Sequence, residues 1–354
     1  MRRLLAVAAL VIGVAVLWYL RDLVLLVFAA ILFAIVLRAL AAAVARATGL
    51  GSGLSFVIAS ATVALVIGAF FAVLGTQLQA QLVQLRDQLP ELLAPLETWL
   101  GIDAIDEWLA ERAEALVDET TLMSRLAGLS GALASLLANM VLVVVAGFYI
   151  ASRPDLYLHG IKLLFPPNLR DHAAETLEVV GAALQRWLVG QVAAMLVVGT
   201  LVFIGLWALG IESALALGFL AGILEFIPFL GPFLAAAPAI AIALAVDPAT
   251  ALWVALLYLV VEQIEGNLLT PLIQQRAVQL PPAVTMFALL AFALLFGPLG
   301  VLLATPLAVV CLVLVKQLWV HDTLGEEVSL PGDSEKSGEQ PARGRGSAKK
   351  ENSS

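Results

Sequence analysis

The sequence predicts an all-α polytopic membrane protein. It is expected to have about eight transmembrane helices, two broken or re-entrant hairpins in its C-terminal half and a small helical insert outside the bilayer. Three observations carry this reading. Hydrophobic residues make up 62% of the 354 and charged residues 13%, with a mean hydropathy of +1.00, whereas a soluble domain carries about a quarter charged residues. The apolar runs exceed strand length and lack period-2 alternation. Two of them are too long for one crossing and are broken at Gly-Pro pairs. Inside lipid every backbone group must be bonded within its own segment, so long apolar runs mean helices.

The runs fall at 4–20, 23–45, 54–75, 131–151, 187–210, 213–246, 249–264 and 283–319. The first follows Arg2-Arg3 and resembles a signal peptide, but Trp18-Tyr19 and Arg21-Asp22 follow it in place of a small-residue cleavage site. It reads as a retained anchor. With the next two runs it forms an N-terminal unit of membrane helices, 1–75.

Residues 76–130 differ in composition. Between Arg86 and Arg125 ten acids face three bases, a net of −7. Leu78, Leu82, Leu85 and Leu89 form one apolar stripe at helical spacing. This is the acidic helical insert, expected outside the cytoplasm. Residues 131–186 hold the fourth span and a link expected on the cytoplasmic side. There Ala173, Leu177, Val180, Leu184 and Leu188 make a second amphipathic stripe after Pro166-Pro167.

Residues 187–320 contain both overlong runs. Run 213–246 is broken by Pro228, Gly231, Pro232 and Pro238, and run 283–319 by Gly297, Pro298, Gly300 and Pro306. Paired Gly/Pro interruptions of this kind suggest hairpins or broken helices, although transmembrane helices also tolerate simple proline kinks. Gly218 and Gly222 form a small-xxx-small face, expected to let the arms of the first hairpin pack tightly. Residues 321–354, rich in Gly, Ser, Glu, Lys, Arg and Pro and free of aromatics after Trp319, are expected to be a disordered cytoplasmic tail.

Topology follows the bases. Arg2, Arg3, Arg38 and Arg46, and then Arg153, Lys162, Arg170 and Arg186, assign the N-terminus and both links to the cytoplasm. If both broken runs return to the side they enter, the C-terminus is cytoplasmic too, and the two hairpins open to opposite faces.

Several functions are disfavoured. Cys311 is the only cysteine, so no intrachain disulfide or zinc cluster can form. The net charge of −8 is the wrong sign for a nucleic-acid face. No P-loop or H-E-x-x-H motif is present. Gly128-Leu129-Ser130-Gly131 faintly resembles an intramembrane serine protease motif, but the only histidines, His159, His172 and His321, fall in links or at a span end. No catalytic residue, metal site or cofactor is expected.

Ionisable residues in apolar surroundings are the functional candidates, because burying charge in a bilayer is costly. Glu225 stands just before the first break. Glu262, Glu265 and Asn267 lie in Val260-Val-Glu-Gln-Ile-Glu-Gly-Asn-Leu-Leu-Thr-Pro271, and the two glutamates share a helix face at i, i+3. These carboxylates could bind a cation, accept a proton, contact a polar solute or simply mark a span end in the headgroup zone. A break at membrane depth should also leave carbonyls and amides unpaired, which is tolerated only in a cavity or under protein cover.

At these residues the sequence resembles the AI-2E family of membrane transporters. The stretches are Gly222-Ile-Leu-Glu-Phe-Ile-Pro-Phe-Leu-Gly-Pro-Phe-Leu-Ala-Ala-Ala-Pro238, Glu265-Gly-Asn-Leu-Leu-Thr-Pro271, Leu280-Pro-Pro282 and Gly297-Pro-Leu-Gly-Val-Leu-Leu-Ala-Thr-Pro-Leu307. The resemblance implies a bacterial inner-membrane protein, assembled as a homo-oligomer, by expectation a pentamer, with a mobile C-terminal transport domain on an N-terminal scaffold. It implies export of a small molecule such as autoinducer-2, or in some members movement of sodium ions or protons. The pathway is expected along Glu225, Pro228, Gly231, Pro232, Glu262, Glu265, Asn267, Pro271, Gly297, Pro298, Gly300 and Pro306. The partners implied are membrane lipid and a small solute or ion. Where the family often has Tyr after Glu-Phe-Ile-Pro, this chain has Phe229, which removes a hydroxyl from any polar lining. The competing readings are a cation/proton antiporter of the same fold and a membrane scaffold that transports nothing.

Overall fold

The structure is a computed structural model, and it describes residues 12, 13, 15, 16, 18–68, 119–269 and 281–321. Every element among them is helical. In order they are α1 (Arg21–Thr48), α2 (Ser52–Gly68), α3 (Glu119–Ser152), α4 (Pro154–Leu163), a short turn at Pro167–Leu169, α5 (Arg170–Ala208), α6 (Ala214–Leu224), α7 (Leu230–Val246), α8 (Pro248–Ile264) and α9 (Pro282–Leu314). Wide π turns extend α8 through Glu265–Leu269 and α9 through Val315–His321.

Helix geometry sorts these elements by reach. At about 1.5 Å per residue, the 39 residues of α5 make about 58 Å, nearly twice a hydrocarbon core of about 30 Å. The amphipathic link and the following span are therefore one rod. Its first turns, with Arg170, Asp171, Glu175, Glu178 and Arg186, are its charged end. By contrast, the 11 residues of α6 reach only about 16 Å. Four helices are long and apolar enough to cross a membrane, at 21–48, 167–208, 248–269 and 282–319. A fifth is added if residues 137–152 and 154–163, bent by 89° at Arg153-Pro154, count as one span.

Four or five spans among the described residues do not match the eight expected. Run 213–246 divides into α6 and α7, neither of full span length, and run 4–20 lies largely outside the described residues. So do residues 76–118 of the acidic insert, the tail from residue 322, and Pro271. Residues 119–130 continue without a break into α3.

Three apolar clusters hold the helices together. In the first, Val198, Val202 and Leu206 of α5 meet Ala214, Leu217 and Ala221 of α6, Ala235, Ala239 and Ala243 of α7, and Ala251, Val254 and Val261 of α8. Each set recurs at three- and four-residue spacing, so each helix turns one face inward. The second cluster joins Leu25 and Leu32 of α1 to Trp187 and Leu188 of α5 and Leu303, Val309 and Val313 of α9. The third joins Ala34, Leu37 and Ala41 of α1 to Ala59 of α2 and Ala151 of α3. Long apolar side chains cover the outside instead: Leu294 is 80% exposed and Leu252 71%. That inversion suits a helical protein whose outer solvent is lipid.

The small-residue face packs elsewhere than expected. Gly218 and Gly222 press on Gly199 and Met195 of α5, not on α7; a Cβ on Gly222 would lie 2.7 Å from the Met195 carbonyl oxygen. The close contact is thus between the hairpin's first arm and α5.

Candidate functional site

Residues 225–229 separate α6 from α7, so the first Gly/Pro interruption is a true break. Pro228 cannot donate to the preceding turn, and Phe229 takes a positive φ of 65°, a strained state for a residue with a Cβ. The backbone is nevertheless largely re-paired. The amides of Phe226, Ile227 and Gly231 donate to the carbonyls of Ile223, Leu224 and Ile227 at 3.1, 2.9 and 2.8 Å. Gln191 of α5 donates its side-chain amide to the Glu225 carbonyl at 2.8 Å. The unpaired groups expected from the sequence are therefore mostly satisfied by the turn itself and by one side chain from outside it.

Gly231 makes this turn possible. A Cβ there would overlap the Leu224 carbonyl oxygen and sit 2.7 Å from its carbon and 3.1 Å from the Glu225 nitrogen, all backbone atoms. The start of α7 thus lies directly on the end of α6.

Under the turn is a small cavity. Glu225, Glu262, Glu265 and Tyr258 line it, with Pro232 over one side and apolar residues of α5 and α6 behind. Its volume is about 10 Å³, room for about one water. Glu225 is 4% exposed, and its side chain meets that of Glu265 directly. Tyr258, Glu262 and Glu265 stand at i, i+4 and i+7, a single stripe carried from α8 into the wide turn after it. The Tyr258 hydroxyl is buried and has no hydrogen-bond partner among the described residues. Among the described residues no Lys or Arg lines the cavity. Carboxylates gathered in an apolar surround without a fixed cation are costly to keep charged, so the site suits a small, exchangeable positive or hydrogen-bonding guest.

The structure gathers Glu225, Pro232, Glu262 and Glu265 and leaves other candidates apart. Asn267 is exposed on the outer side of the wide turn and donates to the Gln263 carbonyl at 2.9 Å. It borders a separate open groove with Leu256, Leu259 and Gln263. Phe229 is 41% exposed and does not line the cavity, so its lack of a hydroxyl leaves this lining unchanged.

The second interruption is also a true break. Gly297 takes φ 64° and ψ −146° inside α9, a combination open to glycine and strained for other residues. Gly300 lies against Phe292, where a Cβ would be 2.7 Å from the carbonyl carbon. Pro306 is fully buried, and the neighbouring Thr305 hydroxyl has no partner. None of these residues lines the cavity. The two breaks border one apolar cluster, against which Phe226 of the first and Phe296 and Leu299 beside the second all pack. Phe226 also meets Trp187 edge-on at 5.9 Å.

Two residues of the site were not picked out from sequence. Tyr258 was legible in principle, since it precedes Glu262 by one turn and Glu265 by two. Gln191 carried no local signal, because its partner is 34 residues away.

Comparison with known proteins places the chain among membrane transport proteins. The chain is 28% identical over 254 residues to YrrI of Bacillus subtilis (strain 168), which carries a transport-protein name, covering 68% of this chain and 70% of YrrI. It is 30% identical over 235 residues to the AI-2 transport protein TqsA of Escherichia coli (strain K12), covering 64% of each. It is 28% identical over 209 residues to PerM of the same organism, which carries the name of a permease, covering 58% of each. Such names describe transport proteins and permeases, not enzymes. The profile described as AI-2E family transporter matches residues 7–319, and the chain, a multi-pass membrane protein, belongs to that family.

Proposed function

We propose that this chain is a secondary transporter that exports a small solute across the bacterial inner membrane, along a pathway through the carboxylate cavity and the two breaks. The observation that carries the reading is the convergence of Glu225, Glu262, Glu265 and the unpartnered Tyr258 hydroxyl beside a broken helix. Buried polar groups of this kind in a membrane domain mark ion or substrate routes. The autoinducer-2 of TqsA's name makes that signal, or a solute like it, the first candidate.

In this reading α6–α7 and the two halves of α9 are re-entrant hairpins that open to opposite faces. Residues 187–320 are the moving transport domain, and 1–75 belong to the scaffold. Both termini are cytoplasmic, the partners are lipid and solute, and the assembly is a homo-oligomer, a pentamer by resemblance. Pro228, Gly231, Gly297, Pro298, Gly300 and Pro306 shape the breaks, Pro271 belongs to the pathway by its sequence motif alone, and Asn267 joins the pathway only if the wide turn rotates. The cavity admits about one water in this conformation, so α6–α7 must part from α8 for an organic solute to pass.

That same small volume favours a second reading, a cation/proton antiporter in which the carboxylates carry the exchanged ion. Proteoliposomes loaded with autoinducer-2 test both. Release that depends on the protein and on a pH gradient supports export, whereas sodium or proton flux without autoinducer-2 movement supports antiport. No flux of any of the three would leave the scaffold reading and sink both proposals.

A further inference from the structure

A second cavity, far from the carboxylates, lies between α1, α2 and α3. It measures about 480 Å³ and is lined almost wholly by carbon, with Phe33, Leu37, Phe56, Val63, Val144 and Phe148 as its largest walls. Its one polar lining side chain, Ser60, spends its hydroxyl on the Phe56 carbonyl of its own helix at 2.7 Å. The groove therefore offers a guest no free hydrogen-bonding group from its side chains. Its base is set by close packing of α3 on α1, where a Cβ on Gly147 would lie 2.7 Å from the Ala30 carbonyl oxygen.

One end of the groove is basic. Arg38 follows the lining residue Leu37 on α1, and its guanidinium donates to the Ala151 carbonyl at 3.0 Å, one turn beyond the lining residue Phe148. That bond uses one of five guanidinium N–H donors. Arg46 lies two turns further along α1, and Arg153 two residues beyond Ala151. The groove itself is uncharged. This division, an apolar slot leading to arginines at the end of two spans, matches one acyl chain joined to an anionic headgroup. The size is ample as well, since the slot has room for far more than a few waters.

We infer that the α1–α2–α3 groove is a binding site for one anionic phospholipid, with an acyl chain in the slot and its phosphate on Arg38. The inference is independent of the transport reading. The lipid fills the gap between α1 and α2 and fixes the N-terminal helices against α3.

Native mass spectrometry of the full chain in detergent, titrated with palmitoyl-oleoyl phosphatidylglycerol or with phosphatidylcholine of the same chains, tests it. One phosphatidylglycerol should persist per chain at detergent levels that strip the rest. Ala64→Phe fills the slot from an exposed lining position and should abolish that adduct while the lipid-free protein unfolds as the lipid-free wild type does. Arg38→Gln should cut the preference for phosphatidylglycerol over phosphatidylcholine about fivefold. If Arg38→Gln disturbs folding, Arg38→Lys, which keeps the charge and a donor for the Ala151 carbonyl, should keep the preference for phosphatidylglycerol, and its loss there would overturn the assignment of the phosphate to this position. An adduct that survives Ala64→Phe overturns the site, as does equal retention of the two lipids by the wild type. A photo-crosslinker at Val57 that labels a second copy, or residues 69–118, instead of lipid overturns the choice of occupant.

Discussion

Replacing Gly231 with Ala tests the packing that builds the candidate site. The added Cβ would lie 2.7 Å from the Leu224 carbonyl carbon, where real Cβ contacts essentially never fall below 3.0 Å, and closer still to the carbonyl oxygen. Both neighbours are backbone, so no flexible side chain can swing away. The turn must open by more than 0.3 Å, and overpacking of this kind costs about 1–3 kcal/mol. The opening moves Glu225 relative to Glu262 and Glu265, so stability and flux should fall together. Equilibrium unfolding in mixed SDS micelles measures the first. Gly160→Ala is the matched control, because Gly160 is helical, exposed and clear of neighbours within 4 Å. That change should stabilise by about 0.5–1 kcal/mol through lower unfolded-state entropy. If Gly231→Ala were as stable as wild type, α6 and α7 would not be in contact at this turn, and the geometry of the cavity would be wrong.

Two other outcomes follow from particular groups. Tyr258→Phe removes a buried hydroxyl that has no partner, so it should leave stability unchanged or raise it by about 1 kcal/mol, yet lower flux; a loss of stability with full flux would assign the hydroxyl a structural role. Asp247 caps α8 by accepting from the Ala249 and Thr250 amides at 2.8 and 2.9 Å and from the Thr250 hydroxyl. The Thr250 hydroxyl bond, more than the two amides, holds this carboxyl below its ordinary range. Its stabilisation is therefore present above the unfolded-state value of about 3.9 and lost as pH falls through the lower folded value. Asp247→Asn should lower the unfolding midpoint at neutral pH, with the gap to wild type closing in acid; a gap that stays constant down to pH 3 would refute the charged cap.

Much of this architecture is legible in the sequence because lipid restricts the options. Long apolar runs can only be helices, and Gly-Pro pairs inside them mark both places where α6–α7 and α9 break. Glu225, Glu262 and Glu265 stand out because charge in an apolar run needs a reason. What sequence could not carry is partner choice across distance. The spacing of Gly218 and Gly222 suggests packing between the hairpin's own arms, whereas both lie against Gly199 of α5. Asn267 shares a segment with Glu265, yet a wide turn rotates it outward, and no periodicity assumed for an ordinary helix anticipates that. The eight expected crossings are matched in part among the described residues: run 4–20 lies largely outside them, and run 213–246 divides at 225–229, where its Gly and Pro residues mark the break, into pieces shorter than the bilayer.

If transport passes through the carboxylate cavity, it must fail when the carboxylates are neutralised. Flux is measured in sealed proteoliposomes containing the wild type, Glu225→Gln and Glu265→Gln, loaded with autoinducer-2 and, in parallel, with sodium under an imposed pH gradient. The wild type should move one of these and both variants should not, with oligomer size and unfolding profile unchanged. Undiminished flux through both properly assembled variants would contradict this route.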